Sequence, residues 1–217
     1  MFEKLKSRLV VGGHLQDRDV YNNGASPTAS TSSVYILTTI AARQKRAAAT
    51  VDFPGAFLNS DMPLTGDHVV YMRLNKQLTA ALTRTDATYD KYMNNNGTRI
   101  VKVQKALHGC VESAKLWYDK LSSGLIKFNY TANEYNICVF NRIEPDNTQT
   151  SLVIHVDDII TTASNESRID NFTKQIETVY PGLTKHRGTV FNFTGMTFDF
   201  SKEGCVKMTG RLRARPH

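Results

Sequence analysis

The chain has 217 residues, 41% hydrophobic and 22% charged, and its 27 lysines and arginines against 20 aspartates and glutamates leave a formal charge of +7. That length accommodates one core or two small subdomains, and no apolar run approaches the roughly 20 residues needed to span a bilayer, so a membrane is not expected as a partner. The positive balance favours a polyanionic partner without requiring one.

The opening MFEKLKSRLVVGG breaks its apolar run with charges, unlike a secretory signal, and predicts an intracellular protein. A strand-like pattern begins almost at once and the chain stops soon after a hairpin pattern, as in a piece of a longer polypeptide. Cys110, Cys138 and Cys205 are too few and too scattered for a disulfide framework or a zinc site, and are expected as buried free thiols.

In chain order, SRLVVGG reads as a strand, followed by a polar loop ending in helix-capping residues. SVYILTTIAARQKR then places Val34, Leu37, Ile40 and Ala41 on one helical face. AAATVDF is a short strand stopped by Pro54 and Gly55, and HVVYMRL is another. Residues 75–97 are polar and irregular, an apparent insertion with one weak helix around KQLTAALT and a turn at NNNGT. TRIVKVQKAL alternates as a strand, and VESAKLWYDKLSSGLIKF aligns Ala114, Trp117, Leu121 and Leu125 as a helix.

NICVFNRI and SLVIHVDDIITT supply further strands, and SNESRIDNFTKQIETVYPG is a helix with Ile169, Phe172, Ile176 and Val179 on one side. TVFNFTGMTFDF and CVKMTG alternate around SKEG, predicting an antiparallel hairpin with Gly204 at its turn. Helices mixed irregularly with mostly antiparallel strands predict an α+β fold, a sheet backed by helices.

Asp157 and Asp158 interrupt an apolar, β-branched run with no glycine for a comfortable two-residue turn, which leaves open a tight hairpin with the acids at its tip. Two carboxylates so close repel, and their ionised forms are costly unless a cation or donors compensate. A second acidic site, Asp52 in TVDFPGAFLN, should project from a strand end before a Pro-Gly break. Two such strand ends side by side in one sheet would bring three carboxylates together, a set able to hold two magnesium ions for in-line phosphoryl transfer. In a basic chain that chemistry suggests a nucleic-acid polymerase or a nuclease.

The blocks VDFPGAFLN, KALHGCVESAKLWY, IHVDDIIT and VFNFTGMTFDF, with KSRLVVGGHLQD near the start, occur in an order and spacing that resembles the reverse transcriptase domain of copia-type LTR retrotransposons, part of a Pol polyprotein. The resemblance runs from Lys6 to about Gly210. It implies a polymerase fingers-palm fold, with 1–46 and 66–108 mainly fingers-like and 47–65 and 109–210 mainly palm, including a primer-grip hairpin. It implies RNA-directed DNA polymerase activity with two Mg2+ ions, or Mn2+, held by Asp52, Asp157 and Asp158. Asp52 and Asp157 would bridge both ions, with Asp158 the less direct ligand.

The resemblance also implies Phe57 as a steric gate selecting deoxynucleotides, and Lys6 and Arg8 as triphosphate contacts. His155, Phe193, Gly195 and Met196 would meet the primer. Its implied partners are an RNA or DNA template with primer, dNTPs, and other Pol domains such as integrase and ribonuclease H. Its implied location is the cytoplasm, in a virus-like particle, or the nucleus.

Three departures stand out. His155 replaces the tyrosine of the family's YVDD block and could charge near neutrality. Glu112, Ser113 and Ala114 stand where many members have QAP, and Glu112 calls for a neutralising neighbour such as Lys115. Pro54 removes a backbone donor beside Asp52. The rival expectations are a catalytically inactive remnant that only binds nucleic acid, and a metal-dependent nuclease or cyclase that would leave Phe57 and FTGM unexplained.

Overall fold

A computed structural model describes residues 9–20, 25–66 and 68–210. The described residues fall into two compact units: one holds those before Ser26 together with Phe57–Leu116, the other Ser26–Ala56 and those from Trp117 onward. Among the described residues no helix is long and apolar enough to cross a membrane.

The second unit is built on a six-stranded sheet in which every paired neighbour is antiparallel. Its strands are β1 (Ala47–Asp52), β4 (Thr131–Ala132), β5 (Val139–Ile143), β6 (Gln149–His155), β7 (Asp158–Ala163) and β8 (Thr184–Arg187), in the order β4-β5-β6-β7-β1-β8. The Ala-Ala-Ala-Thr-Val run of β1 suits a strand covered on both faces, because small side chains let layers approach from either side. A three-stranded sheet of β9 (Val190–Phe193), β10 (Met196–Asp199) and β11 (Lys207–Gly210) packs with helix α1 (Thr31–Arg43) onto one face. That core joins Val34 and Leu37 to Ala48, Val153, Ile160, Phe191, Phe193 and Phe198. The opposite face carries helix α4 (Glu166–Glu177), whose Ile169 meets Ala49 and Ala163.

Both helices begin on side-chain caps. Ser30 Oγ accepts from the Ser33 N–H at 3.2 Å, and Asn165 Oδ1 accepts from the Arg168 N–H at 3.1 Å. The core stripe of α1 is displaced from the expected one: Ala42 and Thr38 are buried, and Ile40 is exposed. Val179, expected on the apolar face of α4, lies beyond the helix end and is exposed. On helix α3 (Ser113–Lys127), Trp117, Leu121 and Leu125 are fully buried.

The first unit pairs β2 (Tyr71–Leu74) with β3 (Arg99–Lys102) and carries α2 (Lys76–Thr85) and a 3-10 turn over Ala87–Tyr92 in the polar segment. Asn75 caps α2, accepting from the Leu78 N–H at 2.9 Å. Its core gathers Val11, Met62, Val70, Val103, Ala106 and Cys110. Arg99 is buried; its guanidinium donates to the Tyr89 carbonyl and lies over the Tyr89 ring.

The strand expected over SRLVVGG reduces, among described residues, to a single bridge from Val10 to His108, because the chain turns into a 3-10 helix at Gly13. The Val11 N–H donates to the His108 carbonyl at 2.8 Å, and Gln16 Oε1 accepts from the Val111 N–H. Gly13 and Gly109 cross backbone to backbone: a Cβ on Gly13 would lie 1.7 Å from the Gly109 oxygen, and one on Gly109 would lie 2.0 Å from the Val11 oxygen. Cys110 and Cys138 are buried free thiols as expected, whereas Cys205 is exposed on the loop between β10 and β11.

Candidate active site

The run SLVIHVDDIITT forms two strands, β6 and β7, folded back on one another with only Val156 and Asp157 between them. Val156 has φ 57°. A β-branched residue in the left-handed region is a local strain, at a position where two-residue hairpins ordinarily use glycine. Such strain persists where surrounding contacts over-determine it. Here the Val156 carbonyl accepts from Trp117 Nε1–H at 2.8 Å, and the Asp157 carbonyl accepts from the Phe53 N–H at 3.2 Å.

β1 lies beside β7 in a register that sets Asp52 directly opposite Asp158. In β6, His155 is also opposite Asp158. Paired residues of an antiparallel ladder point to the same face, so Asp52, Asp158 and His155 share one side, with Asp157 in the adjoining turn. All four are half-buried. Burial, together with the charges of Asp157 and Asp52, pushes the Asp158 carboxyl up to about 6. Burial first, and its acidic neighbours second, thus disfavour the ionised form of that carboxyl, a condition a bound cation reverses. Three aspartates supply only hard oxygen donors, matching Mg2+ or Mn2+ rather than zinc or copper. Among the described residues no three acidic, histidine or cysteine side chains are already disposed around one point; the fit is one of donor chemistry and electrostatics.

A cavity of about 430 Å³ opens beside the acids, lined by Thr50, Asp52, Asp158, His186, Phe191 and Asn192 among others. His186 comes from β8, where it pairs with Thr50 and so faces the same side as Asp52. Sequence reading passed over this strand because TKHR shows neither apolar alternation nor a turn signal; its only cue was a position just after the Pro181-Gly182 break.

Burial holds the His155 imidazole below its ordinary value, against the opposing pull of Asp157. That direction works against the charging its chemical type suggests. Its ring meets Phe193 edge to face at 6.3 Å. Phe193 is buried at the end of β9; Thr194 and Gly195, both with positive φ, form the turn into β10, and Met196 accepts a contact from the Tyr35 hydroxyl. The FTGM block is thus itself a hairpin turn, in addition to the one expected at Gly204. Phe57 belongs to the first unit, its ring 4.6 Å from that of His108. Lys6 and Arg8 lie outside the described residues.

Glu112 also lies in the first unit, with Oε1 buried and no hydrogen-bond partner among the described residues. Burial raises its carboxyl, and the charge of His68 pulls it back down.

A raised acid inverts the usual pH dependence. With a folded value near 6 against roughly 4 unfolded, the folded chain binds more protons across that window, so stability falls as pH rises through it. Asp158→Asn should remove that fall: without divalent ions, at about pH 8, the variant should melt a few degrees above wild type. Melts in EDTA from acid to neutral pH check this, and an unchanged pH slope would show that Asp158 does not carry the repulsion.

A family model described as reverse transcriptase (RNA-dependent DNA polymerase) matches residues 2–209. The chain belongs to that family. Among solved structures, an apo telomerase from Candida tropicalis, truncated from the C-terminal domain, is similar at 13% identity with a TM-score of 0.44. The match covers 85% of this chain and 41% of that one, so the chain spans well under half the telomerase's length.

Proposed function

We propose that this chain is the RNA-directed DNA polymerase domain of a copia-type LTR retrotransposon, joining a deoxynucleotide to a primer 3′-hydroxyl with release of pyrophosphate. The observation that carries the reading is the register pairing of Asp52 with Asp158, with Asp157 in the turn beside them, inside a chain of the reverse transcriptase family.

Asp52, Asp157 and Asp158 would hold two divalent ions, Mg2+ or Mn2+. When bound, these would activate the attacking hydroxyl and support the leaving oxygen. The chain's own residues do the rest. The β6–β7 turn presents the carboxylates from a paired ladder, and His155 backed by Phe193 offers a flat surface for the primer end. Gly195 and Met196 extend that surface. Phe57, braced by His108, would serve as the gate under the sugar ring, and Lys6 and Arg8 would contact the triphosphate. In this reading residues 1–46 and 66–108 act mainly as fingers and 47–65 with 109–210 as palm. Basic residues would grip an RNA or DNA template mainly through phosphates, with salt-sensitive affinity. Other Pol domains would act alongside it in the cytoplasm or nucleus.

Primer extension on an RNA template tests this. Wild-type chain should incorporate dNTPs with Mg2+, lose all incorporation in EDTA, and regain it on adding Mg2+ or Mn2+. Template binding with no incorporation at any concentration of either ion would identify an inactive remnant.

A further inference from the structure

The acidic turn is not held by its own sequence. Val156 occupies a left-handed conformation that valine disfavours, and no glycine relieves it. What fixes it comes from elsewhere in the chain. Trp117, on the first turns of α3, is fully buried and aims its only polar atom at the Val156 carbonyl, 2.8 Å away. Phe53, immediately after Asp52, is buried with its N–H on the Asp157 carbonyl. One turn thus carries Asp157, is tied through Phe53 to Asp52, and is tied through Trp117 to α3.

The rings of these two residues pack together. Phe53 and Trp117 meet edge to face at 5.2 Å, and Tyr180 closes the group at 5.8 Å from Phe53 and 5.2 Å from Trp117. Tyr180 is itself fixed, donating from its hydroxyl to the Lys120 carbonyl at 3.1 Å. Edge-to-face pairs add to burial and set orientation, so the indole has little freedom to turn its N–H away from the turn.

We infer that Trp117 is a positioning residue for the metal-binding carboxylates. Its indole N–H, oriented by the Phe53–Tyr180 pair, holds the strained Val156–Asp157 turn in the conformation that presents Asp157 and Asp158 beside Asp52. The inference rests on the polymerase reading above. It adds a role for a residue that helical spacing alone marks as core. Residues that orient metal ligands typically change metal affinity or activity ten- to hundredfold when removed.

Trp117→Phe keeps an aromatic ring in the core and deletes the N–H donor. Leu121→Val, one turn further along the same buried face, is the control for a core defect that leaves the indole N–H in place. Mn2+ affinity, measured by calorimetry, should fall roughly tenfold or more in Trp117→Phe and stay at the wild-type value in Leu121→Val. The kcat of primer extension should fall similarly, with KM for dNTP little changed.

The chain contains one tryptophan, which gives a readout independent of turnover. Wild-type emission should change on titrating MgCl2, and that change should vanish in Asp157→Asn. Three results would overturn the inference: wild-type Mn2+ affinity in a folded Trp117→Phe, equal losses in both core variants, or emission indifferent to the ion in a wild-type chain that binds it. If the first arises while wild-type chain extends primers, the polymerase reading stands and only the positioning role fails. A wild-type chain that neither binds Mn2+ nor extends primers overturns both.

Discussion

Asp157→Asn should abolish primer extension, lowering the rate by at least about a thousandfold, or about 4 kcal/mol of transition-state stabilisation. Asparagine is nearly isosteric with aspartate and keeps the backbone carbonyl that accepts from the Phe53 N–H, so the β6–β7 turn should survive the change. In the polymerase reading the change would remove one negative charge and one of three hard oxygen ligands, and an amide oxygen is a far poorer partner for a small divalent ion. The same substitution removes one of the two charges that raise Asp158. Without metal the variant should therefore be no less stable than wild type, even though it is inactive. Single-turnover extension with Mg2+ and Mn2+, run beside thermal melts in EDTA, measures both halves. Extension above about one per cent of wild type would refute the catalytic role, at a cost below about 3 kcal/mol.

The second large effect is structural. Gly109→Ala should cost about 4 kcal/mol or more and lower the melting temperature of the first unit by roughly 15 °C or more. Two independent causes act at this position. The backbone is at φ +96°, where side chains with a Cβ are strained, and the new Cβ would fall 2.0 Å from the Val11 oxygen. The obstacle is main chain, held by the Val11 N–H bond to His108, so no rotamer change relieves it. Relief would require the residues around Val11 to separate from His108–Val111, undoing the bridge and the Gln16 contact together. Differential scanning calorimetry with limited proteolysis of the first unit would detect this. A loss below about 1 kcal/mol would show that the two backbones do not cross so closely.

How much of this was legible from sequence depended on what each element buries. Helices α1, α3 and α4 were readable because their apolar residues recur at helical spacing, and α1 and α4 are also preceded by capping side chains. The errors lay where context overrides pattern: Ile40 is turned outward, while small Ala42 takes the buried place beside Ala41. Strand β8 escaped notice because a four-residue edge strand of mainly polar residues draws its support from pairing with β1, not from burial. A tight hairpin carrying the acids could be reasoned from the sequence and is what β6 and β7 form, but its two-residue length could not, because it lacks the glycine that usually signals one.

The site was legible in its ingredients and not in its assembly. The proximity of Asp52 to Asp158 could be reasoned from two strand ends, but their face-to-face register is a property of the sheet. The same holds for His186, which reaches the acidic cavity only through β8, and for Trp117, whose single polar atom leaves no trace in hydrophobic periodicity. For His155, the chemical type suggested a titrating group, and the burial that lowers its pKa is a property of the fold.

The strand order has a consequence for how the chain acquires its structure. Strand β1 sits between β7 and β8, its hydrogen-bonding partners drawn from Asp158–Ala163 and Thr184–Arg187. More than a hundred residues separate it from either. During synthesis the apolar Ala47–Asp52 segment must wait, both edges unpaired, while β4 to β7 assemble as neighbours in sequence; it can only then enter as the fifth strand. Pairings of such long reach are slow to form, and unpaired strand edges invite association with other chains. The strand that delivers Asp52 is therefore among the last to be placed, so the carboxylates come together only when most of the second unit's sheet already exists.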